Sequence, residues 1–199
     1  MRKFIFAGII TALFFIVLLF QFSCAGEGTA KPLNQEELVA LGEYIVTTSG
    51  CDDCHTPKIF TENGPVFDTT RRFSGFPEGE VLPAIDMNMI GPDKWSATEK
   101  HLAAWVGPWG ISYASNLTPD KATGIGTMTE EMFVKCLREG KYMGVGRPLL
   151  PPMPWEVYGM KTDQDLKAIY AYLMSVKPIK NMVPQPVTPD KVGEVLARK

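Results

Sequence analysis

Residues 50–57 read GCDDCHTP, and this short run holds two of the chain's 4 cysteines and one of its 2 histidines. Cys51, Cys54 and His55 form C-x-x-C-H, the spacing used for covalent attachment of haem c. Two intervening residues bring both sulfurs to one side of a turn, where each can add across a haem vinyl group. The next residue then directs its imidazole at the iron. Three other chemistries use paired cysteines. A thioredoxin-type dithiol follows a strand in an α/β pattern, and no strand is expected before Cys51; Asp52 and Asp53 also oppose a thiolate by like charge. A zinc site needs four ligands, and the chain has no second C-x-x-C to complete one. A plain structural disulfide is the third alternative.

A proximal His55 leaves one axial position on the iron. Among 10 methionines and the remaining His101, the strongest candidate is Met153 in RPLLPPMPWEVYG. Prolines on both sides fix its backbone in an extended shape at low entropic cost, which suits a strap holding a thioether in place. The competing fate of any methionine is packing in the core. Met160, Met143 and Met128 are weaker substitutes, and His101 would give a bis-histidine iron.

These residues need a frame. NQEELVALGEYIVTTSG reads as a helix capped by Asn34, with Glu37 completing a capping box and Leu38, Leu41 and Ile45 on one face. Gly50 stops it just before Cys51. From Thr56 to Trp95, glycines and prolines recur without periodicity, so a long loop is expected. SATEKHLAAWV, from Ser96 to Val106, carries a capping signature and an apolar edge of Leu102, Trp105 and Val106, which predicts a short helix. TMTEEMFVKCLREG predicts a second long helix capped by Thr127 or Thr129, with Cys136 as a core thiol on its buried side. TDQDLKAIYAYLMSVKP predicts a third, from Thr162 to just before Pro178. Gly42 offers a place for that last helix to cross the first closely. The Pro-rich stretch beyond Asn181 is expected to lie on the surface.

Length and composition bound the rest. The 199 residues suit one domain plus a targeting segment, and the composition is ordinarily globular at 45% hydrophobic and 21% charged. Arg2 and Lys3 precede an uncharged stretch from Phe4 to Ala25, the outline of a secretory signal. Three endings compete: lipidation of Cys24 in QFSC, despite Gln21 where such motifs usually have Leu; cleavage after Ala25; or retention as a membrane anchor. All three put the domain outside the cytoplasm, where thiols are oxidised or otherwise committed. The formal net charge of −2 has no Lys/Arg run behind it, which argues against nucleic acid as a partner.

GEYIVTTSGCDDCHTP, SNLTPDKATGIGTMTEEMFVKCLREG and MPWEVYGMKTDQDLKAIYAYLMSVKPI resemble, in that order, consecutive blocks of class I cytochromes c. The nearest resemblance is to the haem c modules of the cytochrome subunits of bacterial membrane-associated dehydrogenases. It covers most of residues 40–180. It implies an all-α class I cytochrome c fold, with the N- and C-terminal helices crossing beside the haem and an extended Pro/Gly-rich loop inserted. It also implies one covalently bound haem c on Cys51 and Cys54, with His55 proximal and Met153 distal.

The expected organisation is a signal or anchor at 1–25, a tether at 26–33, the cytochrome domain at 34–181 and a tail at 182–199. Relatives in that group often carry two or three modules, whereas this chain has one C-x-x-C-H. The segment between His55 and Met153 is long, and extra loops there would shield the haem edge or form a docking surface. NLTPD, from Asn116 to Asp120, reads as a shaped loop near the haem. The expected function is one-electron transfer without catalysis, between a dehydrogenase or quinol-linked complex and an oxidase or another cytochrome, near a membrane. Two readings compete with it: a haem enzyme or gas sensor with an open sixth position, and an obligate subunit of a larger complex.

Overall fold

A computed structural model describes residues 31–196. The signal segment 1–25, Cys24 and most of the tether lie outside those residues. Helix α1 (Gln35–Thr48) begins as its sequence dictates: the Asn34 side chain accepts from the Glu37 amide at 3.0 Å, and the Glu37 carboxylate accepts from the Asn34 amide at 2.7 Å. This reciprocal pair satisfies two amides that a helix start otherwise leaves without partners. Gly50, with φ 73°, reverses the chain into the single turn of α2 (Cys51–His55).

Two further helices follow the predicted caps. α3 (Glu130–Glu139) starts at Thr129, whose hydroxyl accepts from the Met132 amide at 3.2 Å, and ends at left-handed Gly140. After the short α4 (Trp155–Gly159), α5 (Asp163–Ser175) opens with a Thr162/Asp165 capping box. A short α6 (Val192–Leu196) follows near the C-terminus.

The main core lies where α1, α3 and α5 meet, around Ile45, Val46, Phe73, Phe133, Leu137, Leu166, Ile169 and Leu173. Val46 and Leu166 are fully enclosed, and burial of such a side chain stabilises by about 1.5–3 kcal/mol. Close packing of α1 on α5 depends on Gly42. A Cβ there would come within 1.9 Å of the Ala168 carbonyl oxygen and 2.7 Å of the Tyr172 Cβ. The chain therefore crosses at this point because Gly42 has no side chain.

The all-α expectation describes this helical frame but not residues 58–113, which carry five short strands. β1 (Lys58–Thr61) and β2 (Gly64–Phe67) form an antiparallel hairpin, with Lys58 opposite Phe67 and Ile59 opposite Val66. β3 (Ala97–Thr98), β4 (Ala104–Gly107) and β5 (Gly110–Tyr113) form a second antiparallel sheet in that order. A second cluster of Phe76, Ala103 and Ala104, with Leu82, Tyr113, Ala114 and Val183 around it, anchors this part. The expected loop from Thr56 to Trp95 therefore contains a hairpin, and two 3₁₀ turns at Thr69–Arg71 and Met87–Met89.

The helix predicted over 96–106 is a strand, a loop and a second strand. Its capping signature misled because Glu99 serves a different purpose: its carboxylate accepts from the amides of His101, Ala103 and Ala104, at 2.6, 2.9 and 3.1 Å. These bonds bend the chain back on itself, and Leu102 takes a left-handed φ of 59°. The segment after Asn181 lies largely at the surface, as expected, and is held there by specific contacts. Val187 exchanges both backbone hydrogen bonds with Ile111 at 2.9 Å each, and Val192 is buried. Proline spacing signalled a tail, whereas an open edge on β5 supplied the partner that makes it an ordered strap.

Candidate functional site

Within α2, Cys51, Cys54 and His55 occupy positions i, i+3 and i+4, so a single helical turn gathers them on one face. Asp52 points the other way and is buried. Its carboxylate accepts from Thr56 Oγ1 at 2.7 Å, and from Arg72 Nε and Nη2 at 2.9 and 2.7 Å. Arg72 in turn donates to Tyr172 Oη on α5 at 3.0 Å and to Thr47 Oγ1 on α1 at 3.3 Å. Thr56 Oγ1 accepts from the Phe73 amide at 3.0 Å. One half-buried ion pair thus fastens the C-x-x-C-H turn to both long helices, with the polar atoms that it uses matched. The sequence reading gave Asp52 only a role in repelling thiolates; its structural partner lies twenty residues away and carries no local signal.

His55 is oriented from outside its own helix. Its Nδ1 lies 2.8 Å from the Ser115 carbonyl oxygen. A carbonyl only accepts, so Nδ1 carries the proton and Nε2 is left as a lone-pair donor, the arrangement by which metal-binding histidines are held. Desolvation keeps the ring below the ordinary imidazole pKa, with the Ser115 bond opposing that shift. Gly75 supports the same carbonyl from behind. Its amide donates to the His55 carbonyl at 2.8 Å, and a Cβ on it would fall 2.3 Å from Ala114 O and 2.6 Å from the Ser115 carbonyl carbon.

The NLTPD loop sets the position of Ser115. Asn116, almost wholly enclosed, accepts from the Thr118 amide and hydroxyl at 2.9 and 2.7 Å and donates to the Ile179 carbonyl at 2.8 Å. Asp120 accepts from the amides of Ala122 and Thr123. Ser115 carries no signal of this role in the sequence, since a backbone carbonyl leaves no mark on residue type.

The thiols of Cys51, Cys54 and Cys136 are free. Burial raises Cys51 to about 11, with a Tyr158 hydrogen bond opposing it, and burial also raises Cys54. Thiols held neutral in this way are poor nucleophiles for disulfide exchange, which weighs against a dithiol oxidoreductase. Cys136 is buried in α3, as the sequence implies.

Met153 is half-buried and borders the main core cluster together with Cys51, Leu117, Met143 and Tyr158. Its strap is fixed by the Met153 amide donating to Leu150 O at 3.2 Å and the Trp155 amide donating to Met153 O at 2.9 Å. Of the substitutes, Met160 is 81% exposed and Met128 is enclosed in the core. Met143 sits in the 3₁₀ turn Tyr142–Gly144 with a left-handed φ of 53°. His101 is buried in the loop between β3 and β4, within the segment predicted as a short helix. Its Nδ1 accepts from the Lys58 amide at 3.0 Å, and its ring meets Phe60 edge-on at 5.9 Å.

The donor set fits a c-type haem. Two unpaired neutral thiols and an imidazole with Nε2 free share one face of a turn, and a thioether on a rigid strap borders the same apolar cluster. Such a combination defines a c-type cytochrome module.

The chain matches no family model. It is similar to the gluconate 2-dehydrogenase cytochrome c subunit of Pantoea cypripedii, 31% identical over 139 residues, 70% of this chain and 23% of that protein. The cytochrome c subunit of the quinone-dependent alcohol dehydrogenase of Gluconobacter oxydans is 41% identical over 145 residues, 72% of this chain and 23% of that one. The fructose dehydrogenase cytochrome subunit of Gluconobacter japonicus is 45% identical over 82 residues, covering 41% of this chain and 16% of its own length. The chain is a homologue of the cytochrome c subunits of bacterial dehydrogenases, and spans less than a quarter of the length of these relatives.

Proposed function

We propose that this chain is a monohaem electron carrier of class I cytochrome c fold, with one haem c attached through Cys51 and Cys54 and held axially by His55 and Met153. When bound, the haem supplies a one-electron ferric/ferrous couple. Everything else falls to the chain's residues. His55 offers Nε2 because Ser115 holds the proton on Nδ1. The thioether of Met153, a soft ligand, favours the reduced state. The Asp52–Arg72 pair keeps the attachment turn from shifting when the charge at the site changes. Were His55 and Met153 both to hold the iron, no position on it would remain for a substrate, and the chain would carry electrons without catalysing a reaction.

The observation that carries this reading is the His55 Nδ1 bond to Ser115 O at 2.8 Å, sixty residues away. It is the orientation that a haem-ligating histidine requires, and neither a disulfide nor a dithiol site has use for it. The proposed setting is extracytoplasmic, with anchoring through Cys24 or the N-terminal segment. Among the described residues no helix is long and apolar enough to cross a membrane. The proposed donors are a dehydrogenase or quinol-linked complex and the acceptors an oxidase or another cytochrome. Relatives named as dehydrogenase cytochrome subunits support the donor side.

One observation favours permanent membership of such a complex over free shuttling. The segment 58–102 exposes Ile59, Phe60, Val66, Val81 and Trp95, the last two at 75% and 72%. Exposed large apolar groups concentrated in one insertion suit a protein interface. Intact-mass and oxidised-minus-reduced spectra of protein matured in a haem c-assembling host test the haem reading. The expected result is one tetrapyrrole per chain and a long-wavelength sulfur-to-iron band in the oxidised form. Mature protein without added haem mass overturns it. Co-purification of a dehydrogenase subunit with an affinity-tagged chain distinguishes the obligate subunit from the free carrier.

A further inference from the structure

We propose that Lys58 sets the reduction potential of the haem upward: its buried ammonium, placed beside Cys54 and His55 without a carboxylate partner, disfavours the ferric state. This rests on the haem reading above. Lys58 begins β1 only three residues after His55, yet is 7% exposed. Its Nζ turns back onto the attachment turn, donating to the carbonyls of Asp53 and, at 3.0 Å, Thr56, which bracket Cys54 and His55. Across the hairpin, Phe67 covers the ammonium from 5.4 Å. The Lys58 amide, bonded to His101 Nδ1 at 3.0 Å, fixes the backbone from which the side chain departs.

Buried lysines are rare unless paired. Here the described residues supply no ion pair to Lys58. The acidic groups that face it are Asp53, Glu99 and Asp52. Asp52 is engaged by Arg72, Glu99 by three backbone amides, and Asp53 is exposed to solvent, so none of the three closes an ion pair on the ammonium. Carbonyl dipoles and an aromatic face solvate the ammonium without cancelling its charge, so Lys58 contributes a positive field at the attachment turn.

A ferric haem carries one more positive charge than a ferrous one and feels that field more strongly. At an effective dielectric constant of about 20, a unit charge within roughly 10 Å biases a one-electron equilibrium about tenfold. A buried charge also escapes most screening by salt. The field raises the potential, in the same direction as the Met153 thioether.

The test is spectroelectrochemical titration of the holoprotein, wild type against Lys58→Met, Lys58→Gln and Lys58→Arg. Removing the charge is expected to shift the ferrous-to-ferric ratio at fixed potential about tenfold toward ferric, a fall of about 59 mV for one electron. Lys58→Arg, which keeps the charge, is expected to stay near wild type. A lysine that only packs would leave all potentials alike while changing the melting temperature, and that result overturns the proposal. If neither neutral variant matures, Phe67→Ala decides: admitting water to the ammonium lowers the potential and makes it salt-dependent, and an unchanged potential overturns the proposal. The haem spectrum of the wild type separates the two readings, since its absence removes both, whereas unchanged potentials remove only the role of Lys58.

Discussion

Met153 and Arg72 fail in different ways when truncated, because one serves the chemistry and the other the frame. Met153→Ala removes a soft ligand from the proposed iron while leaving the strap prolines in place. Its midpoint potential is expected to fall by at least the roughly 59 mV that a tenfold change represents. The reduced protein should also bind carbon monoxide, read as a shift of the main haem absorption band. A variant with the wild-type spectrum would move the ligand to Met143, which borders the same cluster. Arg72→Met instead leaves the buried Asp52 carboxylate with only Thr56 as a side-chain partner. Breaking a buried ion pair from one side costs about 3–5 kcal/mol; since the Arg72 side chain is 32% exposed, water offsets part of that, and about 2–3 kcal/mol is expected in urea unfolding, with the haem spectrum retained.

Among the elements, the crossing of α1 and α5 is the least tolerant of change. Gly42→Ala places a methyl group where the Ala168 carbonyl already sits, so the helices must separate or rotate. Overpacking of this kind costs about 1–3 kcal/mol, and the upper end is expected here because the obstacle is backbone. Thermal unfolding checks it, and a variant as stable as wild type would mean that the helices slide freely. Much at this scale was legible in sequence. Asn34 with Glu37, Thr129, and Thr162 with Asp165 each announced a helix start because capping is local, a matter of three or four residues. The segment 96–106 was not legible. Ser96 and Glu99 fit a helix cap equally well, and only the bonds from Glu99 to the amides of His101, Ala103 and Ala104 turn it into a loop between strands.

For the whole molecule, the C-terminal strap joins the strand-bearing insertion to the rest. Val187 completes the edge of β5 and Val192 is enclosed. Deleting residues 184–199 removes both, while the bond from His55 to Ser115 stays within the remaining chain. Losing one buried valine forfeits about 1.5–3 kcal/mol, and each kcal/mol moves the melting temperature by about 2–4 °C in a chain of this size. A fall of roughly 5 °C with an unaltered haem spectrum is expected by differential scanning calorimetry; an unchanged melting temperature would mean that the strap is ornamental. The long separation between His55 and Met153 is accommodated the same way, by an insertion with its own small core around Phe76 standing beside the main one.

Residue types and short spacings were enough to single out Cys51, Cys54 and His55 as candidates and to frame the three long helices, because the C-x-x-C-H motif and helix capping are both written within a single turn. The sequence also favoured Met153, on the strength of its flanking prolines. What tertiary structure alone decided was how these parts are held: Asp52 with Arg72, His55 with a carbonyl of Ser115, and Lys58 beneath Phe67. Those pairings join residues between nine and sixty positions apart, one of them through a backbone carbonyl that every residue shares. Spacing in the chain cannot encode them; only the folded path of the chain brings them together.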